Sequence, residues 1–172
     1  MATKSLNTVL KDDSFFVKKL NRIKKMKMKD ELWVEELESL QVSRGIRSLN
    51  TTALLQSSVH NGIESNIDNQ TVRSRCTEIK MKAMKQMVAL KEAEKTLRSY
   101  ITHKYNSRLN KLGSSVTERK QLVDFSLHKI SIIIEKLEFV IKLADVVIDD
   151  CDAAGYTLHR IGILLDSKAK DR

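Results

Sequence analysis

Proline is absent from the 172 residues of this chain, and glycine occurs only five times. Proline breaks helix interiors and glycine marks turns, so a chain this poor in both favours long uninterrupted helices. Aromatic residues make up only 5% of the chain, which disfavours β-sandwiches, because strands favour aromatic and β-branched side chains. Hydrophobic residues still reach 41%, which excludes a disordered composition.

Cysteine is scarce, and no catalytic or metal-binding spacing is found. Cys76 and Cys151 have neither a second cysteine nor a histidine at metal-ligand spacing, and both fall on apolar helical rows, which predicts small buried side chains. None of the four histidines follows a glutamate by three positions, and the HExxH, P-loop, GxSxG and GxGxxG motifs are missing. We therefore expect no cofactor and no metal, and predict that the protein is not an enzyme.

No apolar run is long enough to span a bilayer, and the first 13 residues lack the apolar core of a signal peptide. The stretch that comes nearest to a spanning segment, residues 130–148, contains five charged residues. We therefore predict a cytoplasmic protein, with the nucleus as the alternative.

Charge of one sign predominates, with 31 Lys and Arg against 22 Asp and Glu and a net charge of +9. This excess favours acidic partners such as nucleic acid, anionic lipid or an acidic protein surface; a solvated basic helix face is the alternative that needs no partner. Basic residues cluster in residues 18–29, and acidic residues follow in 30–38, an order that opposes the macrodipole of a single helix. The predicted residues for binding an acidic partner are Lys18, Lys19, Arg22, Lys24, Lys25, Lys27 and Lys29.

Hydrophobic periodicity divides the chain into three regions. Residues 1–42 contain an N-terminal amphipathic helix that starts near Phe15 and is capped by the polar residues just before it. Residues 43–70 predict a polar linker, within which a four-residue apolar repeat allows a short amphipathic helix. Residues 71–172 predict a helical hairpin.

The hairpin is predicted from its turn and from its two helices. The second helix is expected over about 71–112, where Gly113 suits the left-handed position that closes a helix. Ser115 and Glu118 have the spacing of a capping box, so a third helix should begin at once, over about 116–166. A turn this short predicts antiparallel neighbours.

The third helix has the strongest pattern in the chain, an unbroken heptad row of the kind that coiled coils show. Isoleucines beside the row make the helix apolar on more than one face, as in a three- or four-helix bundle. The row packs either against the second helix of the same chain or against another chain. The predicted helix-interface residues are Ile130, Ile133, Leu137, Val140, Ala144, Val147, Cys151, Ala154, Leu158, Ile161 and Leu165.

The predicted fold is all-α: a long antiparallel helical hairpin plus an N-terminal helix, as a coiled coil or an elongated helical bundle. Our first functional hypothesis is a structural or adaptor subunit that assembles through helices with other helical subunits, of its own or another kind, and docks on an acidic surface such as a protein polymer. A basic helical nucleic-acid-binding protein is the second, and a peripheral membrane protein the third. The acidic stretch after the basic run favours protein partners, because a neighbouring helix with reversed charge order would match both halves.

Overall fold

The computed structural model describes the backbone of residues 5–26, 29–44 and 59–170, and the side chains of 5–26, 29–44, 66–163 and 167. The predicted all-α fold is confirmed, since every regular element in these ranges is a helix and the two long helices pack against each other. The helices are α1 (Leu6–Lys11), α2 (Ser14–Lys25), α3 (Asp30–Ser43), α4 (Val59–Lys104), α5 (Asn106–Leu112) and α6 (Val116–Lys170).

The predicted N-terminal helix, which starts near Phe15, is divided into α2 and α3, and the short helix α1 precedes it. Asp13 caps α2 by accepting a 3.0 Å hydrogen bond from the amide of Phe16. At the other end, Met26 has an extended backbone with φ −64° and ψ 114°, which ends α2. Basic residues fill the last turn of α2, and acidic residues lie in the first turn of α3. This charge order opposes the macrodipole of one continuous helix, but it is favourable for two separate helices.

Helix α4 differs from the predicted second helix at both ends. It begins at Val59, so residues 59–70 of the predicted linker are helical. Residues 45–58 of that predicted linker lie outside the described residues. It ends at Lys104, and Tyr105, with φ −107° and ψ 18°, separates it from the short helix α5.

The turn between α5 and α6 forms around the predicted capping box. The amide of Glu118 donates to Ser115 Oγ at 3.1 Å, and the amide of Ser115 donates to Glu118 Oε2 at 3.2 Å, which confirms the reciprocal cap. The left-handed conformation predicted for Gly113 is wrong, because its φ is −126°. Glycine is needed there for space, since a Cβ would lie 2.9 Å from Cγ of Arg119 and 3.1 Å from its backbone nitrogen.

The described helices belong to two compact units, and α4 and α6 each contribute to both. The first unit contains residues 1–29 and 84–138, and the second contains 30–83 and 139–172. In the first unit the buried side chains include Leu97 and Leu127, and in the second they include Leu37 and Ile79. Burial of such side chains contributes about 2 kcal/mol each, and it is the main force that holds each unit together.

Ion pairs between α4 and α6 show the antiparallel order of the hairpin within each unit. In the second unit Arg73 pairs with Asp152 at 2.6 Å and Lys80 with Asp145 at 2.5 Å. In the first unit Lys91 pairs with Glu138 at 2.8 Å, and Arg98 pairs with Asp124. Within each unit, the residue numbers of the paired side chains rise along α4 as they fall along α6, so the two helices run antiparallel. Because these pairs are largely exposed, each contributes little stability, but together they neutralise part of the basic excess of α4.

Candidate docking surface

The charge of the chain is divided unevenly between the two units. The first unit contains 20 Lys and Arg against eight Asp and Glu, whereas the second contains 11 against 14. The first unit therefore has a net charge of +12 and the second of −3. The net positive charge of the chain therefore comes from the first unit.

A buried carboxylate fixes the start of α2 in the first unit. The side chain of Asp13 is 1% exposed and accepts three side-chain hydrogen bonds at Oδ2. The donors are the hydroxyl of Tyr100 at 2.9 Å, the ammonium of Lys104 at 2.8 Å and the hydroxyl of Tyr105 at 2.5 Å. Together with the amide of Phe16 at Oδ1, these bonds tie α2 to the end of α4.

The contacts around Asp13 shift the pKa values of Asp13, Lys104 and Tyr105. Burial alone would raise the pKa of Asp13, but the hydrogen bonds from Lys104, Tyr105, Phe16 and Tyr100 outweigh it and hold that pKa well below its usual value. The hydrogen bond to Asp13 raises the pKa of Lys104. Burial and the hydrogen bond to Asp13 raise the pKa of Tyr105 to about 12. Asp13 is therefore ionised and Lys104 charged throughout the neutral range.

The apolar face of α2 is used inside the first unit. Phe16 and Ile23 are each 5% exposed, and the ring of Phe15 lies 4.4 Å from that of Tyr100, measured between centroids. The helix is thus held by its apolar side chains and by Asp13. Its basic side chains are left on the outer surface.

Most of the predicted acidic-partner residues lie on this outer surface, which we call the α2 basic face. Its exposed members are Lys18, Arg22, Lys24, Lys25 and, just beyond the helix, Lys29, while Lys19 is half-buried. Lys27 lies outside the described residues. None of the six described side chains forms an ion pair with another described residue; the ammonium of Lys19 lies 5.8 Å from the ring centroid of Phe15. The face therefore presents uncompensated positive charge.

The predicted heptad row of α6 is largely buried within the chain. Its buried members are Ile130, Leu137, Val140, Ala144, Val147, Cys151 and Ala154. Ile133, Leu158 and Ile161 are half-buried, and the side chain of Leu165 lies outside the described residues. Ile134 is buried at 6% beside the half-buried Ile133, and the row extends upstream through Leu127 and Val123. This row is the core of the hairpin and its units rather than a free surface.

A different row of α6 is exposed. Phe125, Ile132, Phe139 and Val146 recur every seven residues and are exposed by 70%, 38%, 56% and 56%. We call these four side chains the α6 outer row. Residues seven apart lie on one side of a helix; Phe125 and Ile132 belong to the first unit, and Phe139 and Val146 belong to the second. The sequence shows isoleucine, phenylalanine and valine here, but only the structure shows that the described residues leave them exposed.

A buried ion pair in the second unit was not predicted from the sequence. The side chain of Arg44 is 1% exposed, binds the carboxylate of Asp150 and lies 3.6 Å from the sulfur of Cys151. Cys76 and Cys151 are both buried, as predicted, and burial raises the pKa of Cys76 to about 11. A thiol with so high a pKa is a poor nucleophile at neutral pH. No group of three or more His, Cys, Asp or Glu among the described residues could hold a metal ion.

Comparisons with known proteins give no match to this chain among protein-family models, curated proteins or solved structures. In the part of the chain that the structure describes, every helix is too short or too polar to cross a bilayer.

Proposed function

We propose that this protein is a non-enzymatic adaptor subunit that docks on an acidic surface through the α2 basic face and joins other helical subunits through the α6 outer row. The docking role is supported by the different environments of the two faces of α2. Its apolar side chains and its cap are used to hold it in the first unit, and its basic side chains are exposed without ion-pair partners among the described residues. Because α2 is already anchored, its backbone loses little conformational freedom on binding.

The two alternative hypotheses are less well supported by the same face. A peripheral membrane helix needs free apolar side chains to enter the lipid, but Phe16 and Ile23 are already buried. A nucleic-acid-binding protein gains nothing from the acidic helix α3, which has no basic residue between Asp30 and Ser43. A protein partner fits both helices, because one protein surface can carry acidic residues for α2 and basic residues for α3.

The assembly role is supported by the α6 outer row. Exposed apolar side chains are common singly, but four at heptad spacing on one helix are typical of a line that another helix covers. Charged residues flank the line, among them Lys129, Glu135 and Lys142. Such flanks favour a helical partner with matching charges over non-specific aggregation.

The docking role is tested by charge reversal on α2. We expect labelled poly-L-glutamate to bind the wild-type chain and to bind the variant Lys18→Glu, Arg22→Glu, Lys25→Glu at least ~10-fold more weakly in fluorescence anisotropy. The control reverses three exposed lysines elsewhere in the same unit, Lys95→Glu, Lys111→Glu and Lys120→Glu, with the same change in net charge. An equal loss in both variants would contradict a docking face on α2. Tighter binding of duplex DNA than of poly-L-glutamate would instead favour the nucleic-acid hypothesis.

The assembly role is tested by photo-crosslinking in cells. We expect a photoreactive amino acid at Phe139, on the α6 outer row, to form covalent adducts heavier than the chain itself. The same amino acid at Lys120, exposed on the same helix but away from the row, should form far fewer. Equal adduct formation from both positions, or none from Phe139, would count against assembly through this row.

A further inference from the structure

Helices α2 and α3 carry opposite charges on their outer faces, and neither helix contains residues of the opposite charge. Helix α2, Ser14–Lys25, contains no acidic residue, and α3, Asp30–Ser43, contains no basic one. On α3, Trp33 and Leu37 are buried in the second unit, whereas Glu35 and Glu38 are exposed and form no ion pair with any described side chain. Each unit therefore presents one strongly charged helix to solvent.

Local helix stability explains only part of this charge. The macrodipole accounts for basic residues in the last turn of α2 and acidic residues in the first turn of α3, because its effect is confined to the terminal turns. Lys18 and Glu38 lie outside those turns. Neither has an ion-pair partner among the described residues, so both are open to a partner outside the chain.

The two faces match in spacing as well as in sign when the helices run antiparallel. Along α2, exposed Phe15, Lys18 and Arg22 follow one another at intervals of three and four residues. Read backwards along α3, exposed Val42, Glu38 and Glu35 follow at intervals of four and three. Both sets cover an interval of seven residues, or two turns on one side of a helix, and their middle residues are offset by one position. An antiparallel pair would thus set Phe15 against Val42, Lys18 against Glu38 and Arg22 against Glu35.

We propose that the acidic surface bound by the α2 basic face is helix α3 of a second copy of this chain. The inference rests on the proposed docking role of α2 and names its partner. Val42 is 70% exposed and Phe15 38%, so the pairing would also cover apolar surface at one end. The alternatives are disfavoured by the same charges, since two α2 helices repel each other and so do two α3 helices. Both a closed dimer and a longer chain of copies satisfy the pairing.

The test is a charge swap measured by sedimentation equilibrium. We expect the wild-type chain to self-associate at ~0.05 M salt and to dissociate at ~0.5 M, where exposed charges are screened. Lys18→Glu with Arg22→Glu makes both faces acidic, and Glu35→Lys with Glu38→Lys makes both basic. Each variant alone should self-associate at least ~10-fold more weakly than wild type. Mixed in equal amounts, the two variants should associate again, and the variant that combines all four changes should self-associate alone.

The restored pairing keeps the test independent of folding, because an unfolded variant cannot be rescued by its complement. Lys95→Glu with Lys120→Glu, exposed lysines of α4 and α6, serves as the control and should leave self-association unchanged. A wild-type chain that stays monomeric at ~1 mM in low salt, or swapped variants that do not associate when mixed, would overturn the inference.

The two proposals fail separately. The variant Glu35→Lys, Glu38→Lys keeps the α2 basic face and should still bind poly-L-glutamate, although it no longer pairs with itself. A chain that binds poly-L-glutamate but never self-associates would support the docking role of α2 and contradict its pairing with α3 of a second copy. A chain that self-associates by the charge-swap rules but does not bind poly-L-glutamate would support the pairing and restrict the docking role of α2 to helix α3 of a second copy.

Discussion

The ammonium of Lys104 lies 2.8 Å from the carboxylate of Asp13, 91 residues away in the chain. We predict that Asp13→Ala lowers the free energy of unfolding by about 2–3 kcal/mol, since the change removes a helix cap and leaves two tyrosine hydroxyls without an acceptor. Urea unfolding followed by far-ultraviolet circular dichroism measures the difference. Asp12→Ala is the matched control, because that side chain is exposed, and it should change stability by less than about 0.5 kcal/mol. Equal effects would show that the Asp13 cluster contributes nothing specific.

The same carboxylate predicts how stability depends on pH. Because the pKa of Asp13 is lower in the folded chain than its unfolded value of 3.8, its contribution is fully present above pH 3.8. The contribution declines as the pH falls below that value, since the unfolded chain then binds the proton more readily, and it is gone below the folded-state pKa. We expect the difference in stability between wild type and Asp13→Asn to be constant from neutral pH to about 5 and to shrink below about 4. A difference that grows with acidification would reverse the sign of the assigned shift.

The buried pair of Arg44 and Asp150 should matter far more than an exposed pair on the same helix. Asp150→Asn leaves a guanidinium that is 1% exposed without its counter-charge, and we predict a loss of about 2–4 kcal/mol. Asp152→Asn breaks the pair with Arg73, whose side chains are 40% and 51% exposed, and should cost less than about 1 kcal/mol. Thermal and urea unfolding of the two variants measure the contrast. Similar losses would mean that Arg44 is solvated in solution.

Local patterns were enough to predict the elements that depend on near neighbours. The capping box of Ser115 and Glu118 lies within four residues, and it placed the start of α6 correctly. The break between α2 and α3 was missed because one apolar stripe seemed to continue through it. The charge order around residues 24–31 was the available signal, since it opposes a single helix but suits two.

Long-range contacts were beyond such patterns. Nothing near Asp13 in the sequence indicates that Tyr100, Lys104 and Tyr105 converge on it, because they are 87 to 92 residues away. Whether Ile133 or Ile134 enters the core is likewise decided by where neighbouring helices lie. The candidate surfaces follow the same rule: the sequence indicates which residues are basic or apolar, and packing determines which of them stay exposed.

Two glycines should respond in opposite ways to alanine. Gly162 lies inside α6, and an added Cβ would meet nothing within 4 Å, so Gly162→Ala should raise the free energy of unfolding by about 0.5–1 kcal/mol through better helix propensity. Gly113→Ala puts a Cβ 3.1 Å from the backbone nitrogen of Arg119, which a side-chain rotation does not relieve. We therefore expect Gly113→Ala to destabilise the chain by about 1 kcal/mol or more. Urea midpoints that move in opposite directions for the two variants would confirm both assignments, whereas a stabilised Gly113→Ala would show that the turn before α6 is looser than its geometry indicates.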